Sequence, residues 1–149
     1  MRSVVQRVRD CSVTVEGKRV GFIERGILVY LGIGIRDTEL DASYMAEKIV
    51  HLRLYPDDKG KMNLSVQDVG GRILVVSQFT LYGDTRKGRR PSYDEAAPPD
   101  RAEPLYQYFL SRLAMFGIEP ETGTFQAKME VSYINEGPVT LLIDSEKIF

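Results

Sequence analysis

Ile73-Leu74-Val75-Val76-Ser77-Gln78-Phe79-Thr80-Leu81-Tyr82-Gly83-Asp84 changes character halfway along. Its first four residues form a continuous apolar run, the pattern of a strand covered on both faces. Ser77, Gln78 and Thr80 then bring uncharged hydrogen-bonding groups together at the strand's end. A charged loop follows at once, with four cations in the five residues Arg86-Lys87-Gly88-Arg89-Arg90. A rigid strand that carries small polar groups to the edge of a basic loop suits a polar, anionic substrate. The plainer reading is a core strand that ends in a solvated loop.

Working outward, the first third alternates strand and turn signals. Residues 2–15 are predicted as a strand, Glu16-Gly17-Lys18 as a turn and Arg19 to Ile23 as a second short strand. Glu24-Arg25-Gly26 is then expected to turn the chain into the apolar run from Ile27 to Ile33. A helix follows, with Asp37 or Thr38 as cap and Glu39 and Asp41 in its first turn. Ala42, Met45, Ala46 and Ile49 form its apolar stripe, and His51 lies near its end. Leu52 to Tyr55 and Asn63 to Val66 are short strand candidates on either side of the Pro56–Gly60 turn.

Beyond the basic loop, Asp100-Arg101-Ala102-Glu103 has the form of a capping box, with Pro104 expected in or near the first turn. Tyr106, Phe109, Leu113 and Phe116 make that helix's apolar face, and Gly117 fits its C′ position. Phe125, Ala127, Met129, Val131 and Tyr133 alternate with polar residues, the clearest strand signal in the chain. After Asn135 to Thr140 comes a last apolar strand, Leu141-Leu142-Ile143. Many strands and two helices, not strictly alternating, predict one α+β domain over residues 1–149, with mixed, mostly antiparallel strands.

The totals narrow the chemistry. At 149 residues with 43% hydrophobic and 28% charged, the chain suits one soluble domain with a sizeable core. Net charge is −1, so nucleic-acid affinity has to come from a local patch. Cys11 is the single cysteine and His51 the single histidine, so no internal disulfide, zinc cluster or two-histidine metal site is expected. A reducing cytoplasm is the expected setting, and no apolar run approaches membrane-spanning length. Walker, dinucleotide and G-x-S-x-G motifs are missing. An enzyme here would work with Ser, Thr, Gln and backbone groups, which suffices for a substrate already activated, such as an ester.

Ser77-Gln78-Phe79-Thr80-Leu81 together with Asn135-Glu136-Gly137-Pro138-Val139-Thr140 resembles the signature pair of the D-aminoacyl-tRNA deacylases. Gly60-Lys61-Met62-Asn63, Asp68-Val69-Gly70-Gly71, Arg89-Arg90-Pro91-Ser92 and Gly123-Thr124-Phe125 extend the likeness over essentially the whole chain. The resemblance implies a fold of β, β and α layers and a cytoplasmic homodimer with its two active sites at the interface. It implies hydrolysis of the ester between a D-amino acid and the terminal adenosine of tRNA, and removal of glycine mischarged on tRNA-Ala. No cofactor or metal is implied, and the partners are aminoacyl-tRNA and a second copy of the chain.

By the same resemblance, Ser77, Gln78, Phe79 and Thr80 line the pocket around the ester. Main-chain N–H groups near Phe79 and Thr80 would hold its carbonyl oxygen. Gly137 and Pro138, joined by a cis bond, would enter the other subunit's pocket, face the amino group and exclude an L side chain. Arg7 would brace that segment, and Phe125, with Met129 on the same face, would bind the adenosine. No base lies within sequence reach of Thr80, so the tRNA 2′-hydroxyl is the expected helper of water. Gln126 stands where a smaller residue, often glycine, is usual, and strand alternation predicts that it points away from Phe125. Arg86, Lys87, Arg89 and Arg90 are the candidate tRNA contacts. The rival reading is a non-catalytic nucleic-acid-binding module built on that loop.

Overall fold

The computed structural model describes residues 1–149. Its elements are β1 (Arg2–Val15), β2 (Lys18–Gly32), α1 (Glu39–Val50), β3 (Tyr55–Pro56), β4 (Met62–Leu64), β5 (Arg72–Ser77), a 3-10 turn (Phe79–Tyr82), α2 (Pro99–Met115), β6 (Glu121–Thr122) and β7 (Glu130–Asp144). Five strands form one sheet in the order β6-β5-β2-β1-β7, and β3 and β4 pair apart from it. The β1–β2 and β1–β7 pairs are antiparallel, while β2–β5 and β5–β6 are parallel. Parallel neighbours need long crossovers. The first crossover contains α1 and the second α2.

The run Ile73–Val76 is apolar throughout because both sides of β5 are covered. Ile73 and Val75, with Ile27, Val29 and Leu31 of β2, pack into a core with Met45 and Ile49 of α1 and Phe109 and Leu113 of α2. Leu74 and Val76 face the other way, with Leu28, against Val8, Cys11, Val13 and Ile23 and the half-buried Met129, Val131 and Tyr133. All of these but Met129 lie on strands of the same sheet, so the sheet bends over itself. The order is β on β with the helices outside, as expected. Phe109 and Leu113 are fully buried, and each contributes roughly 1.5–3 kcal/mol through its apolar area.

Several local expectations are corrected. Glu24-Arg25-Gly26 does not turn the chain: Arg9↔Arg25 and Val8↔Gly26 stay paired, so the two expected strands are one β2. Gly26 sits in the strand at φ 156°, and a Cβ there would overlap the Arg72 carbonyl of β5. The alternating run from Phe125 becomes ladder only at Glu130, because its partner Thr14 is one residue from the end of β1 and residues 125–129 have no strand to pair with. At the other end, Asn135–Thr140 and Leu141–Ile143 belong to the same continuous strand. The candidates Leu52–Tyr55 and Asn63–Val66 shorten to β3 and β4.

Of the helix starts, that of α1 is as expected and that of α2 is not. Thr38 caps α1, and the Asp41 carboxylate accepts from both its N–H and its hydroxyl, each at 2.9 Å. In α2 no capping box forms. Pro99 takes the first helical position, where a missing N–H costs nothing, so Asp100 falls inside the first turn and Pro104 one turn further in. Gly117 ends that region at φ 80°, the left-handed conformation expected of C′.

Candidate active site

At the C-terminal end of β5 the polar residues Ser77 and Gln78 open onto a cavity of about 550 Å³. Phe79, at the start of the 3-10 turn, lies at its mouth. Phe125, Ala127 and Met129 line it from the segment before β7, and Ala97 and Ala102 from the start of α2. Phe125 is held from behind by Tyr106, whose ring lies 5.7 Å away and whose hydroxyl donates to the Val75 carbonyl at 3.1 Å. The Gly123 N–H reaches that same carbonyl at 3.2 Å. Thus α2, β5 and the 123–129 segment are tied together one residue pair away from Ser77.

The lining contains no carboxylate, imidazole, thiol or ammonium group. Cys11 is fully buried elsewhere, and burial pushes its thiol up to about 12, so it is not a nucleophile near neutral pH. His51 caps α1, bonds back to the Glu47 carbonyl and sits edge-on to Phe116, outside the cavity. No three His, Cys, Asp or Glu side chains come together as a metal site. Thr80 does not line the cavity; it is exposed, and its hydroxyl accepts from the Gln78 side-chain amide. The main-chain N–H groups of Phe79 and Thr80 open the 3-10 turn and have no partner within it.

Gly137, Pro138 and Arg7 form a separate cluster. The Gly137–Pro138 bond is cis, and both residues are exposed. The buried Arg7 guanidinium donates to the carbonyls of Glu136 at 3.2 Å, Gly137 at 3.1 Å and Leu54 at 2.5 Å. It also lies 3.9 Å from the Glu136 carboxylate. The Asn135 amide bridges the Arg7 and Val139 carbonyls at 3.0 and 3.1 Å. So the segment is pinned from two sides, and one lone pair of the Gly137 carbonyl is already engaged. Neither Gly137 nor Pro138 reaches the cavity of its own chain.

The basic loop divides. Arg86 is clamped onto Asp84 through two side-chain contacts of 2.9 and 2.7 Å, and this holds the Asp84 carboxyl well below the usual range. Lys87, Arg89 and Arg90 form no ion pair, though Lys87 adds to the lowering of Asp84 from a distance. Sequence reasoning missed Tyr93, which stands at the cavity mouth, and took Tyr106 for core alone. Only a contact across the fold distinguishes either from an ordinary tyrosine. Gln126 is exposed, but it sits in a turn at φ 62° and reaches the cavity rim beside Phe125. The strand alternation behind the expectation that it points away is therefore absent here, and the left-handed backbone explains why glycine suits this position.

A bent mixed sheet backed by two helices, with an apolar cavity rimmed by hydroxyl and amide groups, defines an α+β protein with an uncharged binding site. The family described as D-Tyr-tRNA(Tyr) deacylase matches residues 4–144, and the chain belongs to that family, whose members are hydrolases of the aminoacyl-tRNA ester bond. Relatives named D-aminoacyl-tRNA deacylase from Thermosipho africanus and Koribacter versatilis are 57% and 60% identical over 149 residues, covering 100% of both chains. A solved structure described as c-Myc DNA Unwinding Element Binding Protein superposes with TM-score 0.90 at 42% identity, over 97% of this chain and 98% of its own. A probable eukaryotic D-amino acid tRNA deacylase gives TM-score 0.82 at 19% identity, over 95% and 97%, a likeness of fold.

Proposed function

We propose that the protein hydrolyses the ester of D-aminoacyl-tRNA, releasing free D-amino acid and tRNA, in the cytoplasm where charged tRNA is used. The observation that carries this reading is the cavity at the end of β5: apolar enough for an adenosine, with Ser77, Gln78 and Phe79 at its edge and no titratable base. In this reading Phe125 and Met129 bind the terminal adenosine. The N–H groups of Phe79 and Thr80 hold the ester oxygen, where developing negative charge strengthens the bonds. An aminoacyl ester is already activated, so water needs only modest help, and the neighbouring 2′-hydroxyl of the same adenosine is placed to give it. Thr80 contributes its main chain and not a nucleophile, since its hydroxyl has no base to activate it.

Chiral selection falls to Gly137 and Pro138 of a second copy, which close the partner's cavity and leave no room for an L side chain. Glycine has no side chain to reject, so glycine on tRNA-Ala also passes. A homodimer is supported by the exposed strand β7 at the sheet's edge, with Ile134 and Leu142 45% and 63% exposed. Lys87, Arg89 and Arg90, with Arg86 shaping their loop, face the tRNA phosphates. The assay that tests the reading follows amino-acid release from D-tyrosyl-tRNA and L-tyrosyl-tRNA. Release from the D ester alone is expected. No release from it at enzyme excess, with RNA still bound, would favour the non-catalytic nucleic-acid-binding module, which the DNA-binding description of the 42% identical structure recommends as the second reading.

A further inference from the structure

Phe79 and Tyr93 are the two exposed large hydrophobic side chains of the cavity lining, 55% and 39% accessible. Adjoining exposed aromatic rings at the lip of a recessed site form an apolar patch of the kind that marks a ligand-binding groove. They meet edge to face, with centroids 5.1 Å apart and planes at 69°. In such a pair the ring that presents its edge keeps both of its faces clear of the other. The pair is also firmly placed. Tyr93 rests on Gly83, where a Cβ would stand 3.1 Å from its Cε1.

Tyr93 directly follows Ser92, which exchanges backbone hydrogen bonds with Asp84 at 2.8 and 3.0 Å. That exchange closes the loop bearing Lys87, Arg89 and Arg90, the cations that form no ion pair. The aromatic pair therefore stands both at the lip of the cavity and at the root of the cationic loop. Aromatic faces beside unpaired cations suit single-stranded nucleic acid, where bases stack and phosphates seek positive charge. The cations call for phosphates and not for an apolar protein segment.

The geometry points to a second nucleotide subsite, in which the Phe79–Tyr93 pair stacks on the base preceding the terminal adenosine in the single-stranded 3′ end of tRNA. Lys87, Arg89 and Arg90 then face the phosphates that lead away from it. This rests on the reading above that the cavity holds the terminal adenosine. A chain whose last nucleoside is in the cavity must leave through its mouth, where these two rings stand. Stacking is tolerant of base identity, so the subsite recognises the presence of a base and not its sequence.

The test compares D-tyrosyl-tRNA ending in its normal nucleotides with the same substrate carrying an abasic ribose at the penultimate position. Both keep every phosphate, so the cationic loop contributes equally to each. Stacking predicts kcat/KM about tenfold lower on the abasic substrate, with the loss in KM. Tyr93→Ala is expected to shrink the difference below about threefold, and Tyr93→Phe, which keeps the ring, to preserve it. Equal rates of the unmodified protein on both substrates would overturn the subsite while leaving the deacylase reading intact. So would a Tyr93→Ala variant that slows both substrates alike and keeps their ratio. Failure to release D-tyrosine from either substrate would sink the reading of the cavity itself, and the subsite with it.

Discussion

The cavity at the end of β5 and the Gly137–Pro138 segment on β7 are built in opposite ways. The cavity is recessed, and apolar packing shapes it: Phe125 leans on Tyr106, and the Tyr106 hydroxyl ties to Val75. The β7 segment projects, and one buried cation holding three carbonyls shapes it. A recess needs its walls fixed, which a core does well. A projecting loop has little apolar surface to bury, so directional hydrogen bonds from Arg7 and Asn135 must fix it instead. The two regions lie on one chain yet do not meet within it, which is why a second copy enters the proposed mechanism.

Arg7→Leu should separate them most sharply. It leaves three carbonyls without their donor and is expected to lower stability by about 3 kcal/mol, read from a denaturation midpoint. D-tyrosyl-tRNA hydrolysis should fall by about 100-fold, the usual cost of a misplaced positioning group. Undiminished turnover in a folded variant would show that the projecting segment has no part in the reaction. Arg7→Lys, with a point charge in place of the planar fork, should recover only part of both losses.

Tyr106→Phe probes the recess. It removes one buried hydrogen bond while the Gly123 N–H still serves the Val75 carbonyl, so the expected cost is about 1 kcal/mol. KM for the tRNA substrate should rise more than kcat falls, because the ring that Tyr106 supports binds adenosine. A change confined to kcat would move Tyr106 from the binding wall to the chemical step.

Thr80→Ala should cost less than about threefold in kcat, under 1 kcal/mol of barrier. Abolished turnover with the fold intact would restore Thr80 as a nucleophile. The smallest effect is expected at Gln126→Gly, which relaxes the φ of 62° and should stabilise the protein by roughly 0.5 kcal/mol in thermal unfolding. A destabilised variant would mean that the Gln126 side chain holds the cavity rim.

Much of the fold was legible from periodicity. The apolar run Ile73–Val76 needed cover on two sides and has it, and both helix stripes point inward as their spacing required. What failed were features set by neighbours. Gly26 reads as a turn, but pairing with Val8 holds it in a strand. Phe125–Met129 alternates like a strand, but β1 has ended by then. Of the site, Ser77, Gln78, Phe79 and Phe125 were named from motif and meet in one cavity, while Tyr93 carried no mark of its own.

The sequence by itself determined which residues are apolar, polar or conformationally special, and so the helices, the doubly covered strand and the motif residues. Those are local properties, written in periodicity and residue type. Only the tertiary structure decided that Ser77 and Phe125, 48 positions apart, share a wall, that Arg7 spans from Leu54 to Gly137, and that Tyr93 stands beside Phe79. Each depends on strand register and helix packing across the chain, and such long-range contacts leave no periodic trace in the residues that make them.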